Sequence, residues 1–482
     1  MPRRSTAQHR VVVIGGGFSG AFFAAQLAVH TNTPVHIAVI EPRETLGAGV
    51  AYSTPDPAHR INVPAARMTV YSENPTDFDD WFRSGGELAA DPAALWADGS
   101  AYPRRAAFGR YVSEIVASRQ SARPGVHIEH IQDQATAVTR TPHGYQVERT
   151  QGAPLAADIV VLATSHPPPA PPGLIAAALG HDPRLVANPW HPTALDGIKP
   201  QDDVAIIGTG LSMADIVASL DQRGHTGNIT AFSRRGLLPR GHAAACQPPF
   251  TWFATHDTPG TMLQLSRLVR RLVTEAAGNG IPWQAVFDEL RGNGRKIWGR
   301  LDETERRRFL RHLRVFWDSH RYRIAPQIQT ILHRKMRDGT LVVRAASLSS
   351  AHAGPDRITL GIQPRGKPAA HLAQLPVDRV IITTGPAHGT IVAQSAVLRS
   401  LTQQGLLQPD PLGLGVLVGR LGQAIDTDGT VVTTLLVAGP LAREQYGELM
   451  GMPQVSAQAN ELAAHVASLL STMSTNELAT QE

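Results

Sequence analysis

The chain has 482 residues, a net charge of +5 and one cysteine, and its composition is ordinary for a soluble α/β protein apart from abundant Ala, Gly and Pro. That length suits two or three domains with substantial cores, and so modest a charge gives no independent argument for nucleic acid. Cys246 alone excludes an internal disulfide and any CxxC zinc or redox pair, which fits a reducing cytoplasm.

From Val11 the sequence reads VVVIGGGFSG, AFFAAQLAV and PVHIAVIE. This is a buried strand, a glycine turn, a helix and a second strand ending in an acid. Gly15, Gly17 and Gly20 have the spacing of a dinucleotide grip. The first permits the tight turn, the second lets backbone approach a pyrophosphate, and the third lets helix pack closely on sheet. Phe18 and Ser19 open the helix, whose N-terminal N–H groups and dipole favour phosphate. Glu41 follows about 20 residues on, where a carboxylate accepts ribose hydroxyls. The uncharged run after Arg3, Arg4 and Arg10 also raises an export signal or a membrane span. Four glycines inside that run and the lack of a clear cleavage site argue for the nucleotide grip.

The stretch PRETLGAGVAYSTPDPAHRINVPAARMTVYSENPTDFDDWF reads as a long ordered loop, rich in Gly and Pro yet carrying apolar and aromatic residues. Arg43, Gly49, Tyr52, Asn62, Val63 and Met68 are candidates for lining a bound cofactor. Helices are expected around Asp77–Trp81 and Phe108–Ser118. VHIEHI, ATAVTRT and GYQVERT then read as short meander strands, closed by the buried strand ADIVVLATSH, which brings in Thr164. The run HPPPAPPG from His166 is a breaker and linker.

From Asp203 the pattern recurs as DVAIIGTGLSMADIVASL and GNITAFSRR. Gly208 and Gly210 match the first two glycines. Met213 replaces the third, so this helix is expected farther from its sheet. Leu211, Ser212 and Asp215 open the helix near the phosphates. The second strand ends in Ser233-Arg234-Arg235, which suits a ribose 2′-phosphate and hence NADPH. The acid-ended first unit is then the FAD site. GTLVVRAAS and DRITLGIQ read as meander strands closed by DRVIITTGP, with Gly385 at its end. This internal echo implies two bound dinucleotides.

Between these halves lies a helical insertion, roughly 259–336, with apolar residues at helical spacing. Its run RRRFLRHLR reads as a solvated basic face. In WDSHRYRIAP, Trp317, His320, Arg321 and Arg323 are candidates for holding an anionic substrate or the nicotinamide ribose. The strand LLVAGP is expected to rejoin the first sheet. A last helix, Val455–Leu470, is expected to aim its N-terminus at the flavin. Cys246, in GHAAACQPP, reads as an incidental thiol, and the scattered histidines, without an HExxH pattern, support no metal site.

The stretches VVVIGGGFSGAFFAAQLA, GAGVAYSTPDPAHRINVPAARM, DFDDWF, YPRRAAFGRYV, VAIIGTGLSMAD, WDSHRYRIAP, TTGP and AGPL with SAQANELA resemble bacterial FAD/NAD(P)-binding flavoproteins, a family similar to flavin-dependent N-hydroxylating and Baeyer–Villiger monooxygenases. The resemblance covers nearly the whole chain. It implies an α/β fold of two Rossmann-like, glutathione-reductase-like units, the NADP unit inserted in the FAD unit. The expected limits are 1–170 and 386–482 for FAD and 171–385 for NAD(P). It also implies hydride transfer from NADPH to FAD and then reaction with O2, on a small-molecule substrate, with no nucleic acid or membrane partner. Two departures stand out. Gly439-Pro440 replaces the Gly-Asp used on the ribityl chain, and Ser165 follows Thr164 where relatives often have glycine. No catalytic acid or base and no oligomeric state can be named. Three readings stay open: an N-hydroxylating monooxygenase, a flavin-dependent NAD(P)H dehydrogenase that leaves oxygen alone, and a nonenzymatic nucleotide-binding flavoprotein.

Overall fold

A computed structural model describes residues 8–68, 70–71, 73–120, 123–243 and 250–479. The Arg3-Arg4 pair and Cys246 lie outside the described residues. Two parallel-centred sheets organise the chain. The first runs Gln423–Ile425, Val431–Val437, Ile159–Leu162, His9–Ile14, Val35–Ile40, Val126–Ile131 in spatial order. The second runs Ala373–Val377, Ile358–Pro364, Leu341–Ala353, Ile229–Ser233, Val204–Ile207, Arg379–Ile382, Leu185–Val186. All strands of the second lie between strands of the first in sequence. This is the inserted arrangement expected, of α/β class throughout.

Burial on both faces explains the unbroken apolar strands. Val11, Val12 and Val13 are fully buried, as are Ile159, Val160, Val161 and Leu162. The helix Phe18–His30 contributes Phe22, Phe23 and Leu27 at 0–1% exposure. Each such side chain stabilises the core by about 1.5–3 kcal/mol. The C-terminal helix, Met452–Ala479, extends beyond the expected limits at both ends. In the second unit Met213, fully buried, fills a cluster with Val204, Ile206, Val217 and Ile328.

Two strands differ from the sequence reading. VHIEHI is not part of the meander: Val126–Ile131 pairs parallel with Val35–Ile40 as the edge of the first sheet. The helix Arg105–Arg119 precedes it as the crossover a parallel pair requires. Its alternating burial comes from its edge position. The true meander is Ala135–Thr141, Gly144–Arg149 and Leu155–Ala157. Likewise Leu341–Ala353 begins parallel to Ile229–Ser233 and only from Ala346 turns antiparallel to Ile358–Pro364.

Helices from Trp252 to Arg321 form the insertion and have their own core of Phe253, Leu265, Leu272, Val286 and Trp298. Four of the five arginines of its basic run are paired: Arg306 with Glu444, Arg307 with Glu303, Arg308 with Glu305 and Arg314 with Asp318. Pro326–Arg337 packs on Leu211–Gln222 through Ile328 and Leu332 and leads into the parallel strand at Leu341. No helix among the described residues is long and apolar enough to cross a membrane.

Candidate functional site

The first glycine turn is shaped by what a side chain would strike. Gly15 has φ +102°, and a Cβ there would lie 2.3 Å from the Ala163 carbonyl oxygen. A Cβ on Gly20 would lie 2.0 Å from the Gly15 oxygen. Gly17 faces Gly49 across the loop. The Glu41 side chain, 4% exposed, accepts the Gly16 N–H on Oε2 at 2.9 Å. Its Oε1 accepts the Arg43 backbone N–H at 3.1 Å and the Arg43 guanidinium at 2.7 Å. A carboxylate offers about four lone-pair positions, so one on Oε2 stays open to a hydroxyl. A second hydroxyl needs Arg43 to release Oε1.

The other first-unit candidates divide by where their side chains go. Phe18 stacks on Phe22 in the core at 5.4 Å, and Met68 is also core, so neither presents a polar atom. Val63 packs against the same core. Tyr52 lies 4.7 Å from the Phe108 ring, and burial pushes its hydroxyl up to about 12. The Asn62 carbonyl accepts from the His242 ring at 2.8 Å. Ser19 is pressed by Gly439, φ +78°, where a Cβ would lie 2.2 Å from its hydroxyl. Gly439 opens the 3-10 turn that carries Pro440, and its N–H donates to Gln458 of the C-terminal helix at 2.9 Å. Thr164 is the telling member. Its Oγ1 is buried without a hydrogen-bond partner, directly beyond the C-terminal edge of Ile159–Leu162. A buried hydroxyl without a partner costs about 1–3 kcal/mol. This orphan beside a glycine cradle is where the residues fit a polar cofactor.

In the second unit a Cβ on Gly208, φ +122°, would lie 2.4 Å from the Thr383 oxygen, while Gly210 faces open space. Leu211 and Ser212 open the helix there. The Asp215 carboxylate is buried and receives Arg105 at 2.7 Å. Ser233 bonds Thr209 at 2.8 Å and accepts the Gly236 N–H, so its hydroxyl closes the turn. Arg235 lies 4.8 Å over the Phe316 ring. Arg234 is exposed and makes no ion pair or hydrogen bond among the described residues. Gly385, φ +82°, ends the closing strand with open space around it.

The units meet through the long loop and the start of the Arg105–Arg119 helix. Besides Arg105 with Asp215, His59 bonds Ser219 at 3.1 Å. Arg67 and Arg323 share Asp288 of the insertion. The four substrate candidates are thereby committed. Arg321 pairs with Glu448 at 2.6 Å and Arg323 with Asp288 at 2.7 Å. His320 stacks on Phe287 at 4.9 Å and Trp317 on the same ring at 5.8 Å. Burial shifts the pKa of the His320 ring down from its ordinary value. Among the described residues of this wall, Arg443 forms no ion pair or side-chain hydrogen bond, and sequence reading passed over it because a lone arginine in a loop carries no spacing signal. No cluster of three metal-ligating side chains exists among the described residues.

Residues 12–167 match the family described as FAD-NAD(P)-binding. No curated protein matches the chain. Among solved structures, the reduced form of ornithine hydroxylase from Pseudomonas aeruginosa is similar at TM-score 0.62 and 15% identity, covering 96% of this chain and 99% of that one. L-lysine 6-monooxygenase from Pseudomonas syringae gives 0.61 and 16%, over 97% and 99%. Ornithine N-hydroxylase from Kutzneria sp. 744, with reduced FAD, NADP+ and L-ornithine, gives 0.59 and 15%, over 97% and 100%. At these identities the likeness is one of fold.

Proposed function

We propose that the chain is an FAD-dependent, NADPH-using monooxygenase that acts with O2 on a small molecule, N-hydroxylation of a small amino acid or amine being the reaction in view. The observation that carries this is the contrast between two otherwise similar strand ends. One closes on the buried carboxylate of Glu41, the other on the exposed, unpaired guanidinium of Arg234. The first suits a ribose diol and the second a 2′-phosphate. Residues 1–170 and 386–482 are assigned to FAD, and 171–385 to NADPH. The full-length likeness of fold to ornithine and lysine hydroxylases supports oxygen chemistry. A single cysteine leaves no internal dithiol for disulfide reduction and suits the cytoplasm.

Held by these residues, FAD would supply the capacity to accept hydride from NADPH and to pass electrons to oxygen. The chain orients and shields. Gly15, Gly17 and Gly49 would let backbone close on the pyrophosphate, the Phe18–His30 N-terminus would face its charge, and Thr164 Oγ1 would offer its unused hydrogen-bonding capacity to the cofactor. The insertion, tied to the rest of the chain through Asp288 with Arg67 and Arg323 and through Arg321 with Glu448, would shield the reacting groups from water. Its arginine-rich wall disfavours a protonated amine, and only a neutral amine has the lone pair that hydroxylation consumes.

The test is to supply NADPH and isotopically labelled oxygen with a panel of amines and amino acids, and to weigh the products. One or more compounds gaining one labelled oxygen atom per NADPH is expected. NADPH consumption matched by peroxide throughout the panel, with no oxygenated product, would sink the monooxygenase reading and leave a dehydrogenase.

A further inference from the structure

The wall between the insertion and the C-terminal segment holds more cationic than anionic groups once its pairs are counted off. Glu448 is taken by Arg321, Glu444 by Arg306, and Asp288 by Arg323 and Arg67. Among the described residues, two guanidiniums of this wall have no carboxylate partner. Arg291 has only the neutral Gln454 amide oxygen at 2.9 Å, and its Nε is buried without a partner. It abuts Gly451, as does Arg321. Burial and the neighbouring Arg321 charge hold Arg291 down to about 10.

Arg443 is the sharper case. It is 4% exposed, its Nε is buried without a partner, and it forms no ion pair or side-chain hydrogen bond among the described residues. It follows Gly439-Pro440, past the C-terminal end of Val431–Val437. That strand neighbours Ile159–Leu162, whose end carries the orphaned Thr164 hydroxyl. Arg443 therefore stands beyond the carboxyl ends of adjacent parallel strands, where open α/β sheets bind their ligands. Its charge reaches Asp318, Tyr322 and His166. No ion pair joins Asp318 to Arg443. Asp318 instead leans on Arg314 at 3.4 Å and leaves Oδ1 buried without a partner.

A buried, unpaired cation is costly, and the structure tolerates it where a ligand completes it. We propose that Arg443 anchors an anion-binding subsite for the substrate, and that the anion is a single carboxylate on a small molecule that also carries a hydrogen-bond donor for Asp318 Oδ1. The guanidinium fork matches a carboxylate in two parallel bonds. The nearby acids Asp318 and Glu448 oppose a doubly charged phosphate. The subsite rests on the proposed function only for what happens to the substrate, since binding is measured without turnover.

The experiment uses the FAD-loaded protein and ligand-observed saturation-transfer NMR with matched pairs: L-ornithine, L-lysine and 4-hydroxybutyrate, each against its carboxamide. The wild type is expected to bind at least one carboxylate about tenfold or more tightly than its amide. Arg443→Met should abolish that preference and Arg443→Lys restore part of it, with FAD content reporting folding. Equal binding of acid and amide to the wild type overturns the proposal without any variant. So does an undiminished carboxylate preference in Arg443→Met. A lowered flavin midpoint potential in Arg443→Met with carboxylate affinity intact also overturns it, because the charge would then serve reduced flavin. Failure of oxygen incorporation alone leaves the carboxylate preference standing, so the two readings fail separately.

Discussion

Gly17 and Gly49 close on one another from opposite sides of the phosphate turn, and a Cβ on Gly49 would stand 2.9 Å from the Gly17 Cα. Gly49 also holds φ +52°, which costs an L-residue about 1–2 kcal/mol. Gly49→Ala is therefore expected to push the loop off the turn. The purified variant should retain much less FAD than the wild type while keeping its helical circular dichroism. Gly17→Val, which adds three carbons on the other side of the same contact, should lose FAD altogether. A yellow Gly17→Val protein with full FAD occupancy would contradict this.

Arg234 is exposed and unpaired, so its removal disturbs little of the fold. Losing a charge-assisted bond to phosphate costs about 1.5–3 kcal/mol. Arg234→Ala should then raise the KM for NADPH roughly 10- to 100-fold by that energy and leave the KM for NADH nearly unchanged. Equal effects on both nucleotides would mean that Arg234 does not read the 2′-phosphate.

Arg105 and Asp215 join the two units through side chains 19% and 9% exposed. Arg105→Met would leave a buried carboxylate without its cation, a loss of about 3–5 kcal/mol. Arg105→Met with Asp215→Leu should recover most of it. Urea unfolding of the wild type, both single variants and the double variant measures the coupling. Simple additivity would show that the pair is not what holds the units together.

The sequence legibility of these features follows from how many partners each one needs. Gly15 and Gly208 were readable because a Cβ at either position would collide with a neighbouring strand's backbone, so spacing alone marks them. The two-unit plan was readable because burial on both faces enforces uninterrupted apolar strands. Val126–Ile131 was misread because an edge strand alternates like a meander strand, and only its partner tells them apart. Arg321 and Arg323 drew attention through local density, yet Glu448 and Asp288, 127 and 35 residues away, consume their charge. Arg443 matters for the opposite reason, the lack of a partner, and no local pattern encodes that.

His166 and His242 are each held down to about 4, chiefly by burial. In the unfolded chain they protonate near 6.5, so between about 6.5 and 4 the unfolded state binds more protons and stability falls as pH drops. Below about 4 both states are protonated and the loss is complete. Each histidine accounts for at most about 3 kcal/mol. Urea midpoints measured from pH 7 to 4.5 should decline through this window, and His242→Gln should flatten the decline. A pH-independent midpoint in the wild type would contradict the buried neutral state of both rings.

The central claim, two dinucleotides in hydride contact, is tested most directly by mixing the purified FAD-loaded protein anaerobically with NADPH and following the flavin absorbance. Rapid bleaching of the yellow flavin, faster with NADPH than with equal NADH, is the expected result. A protein that takes up no FAD, or bound FAD that NADPH leaves oxidised, would contradict the account.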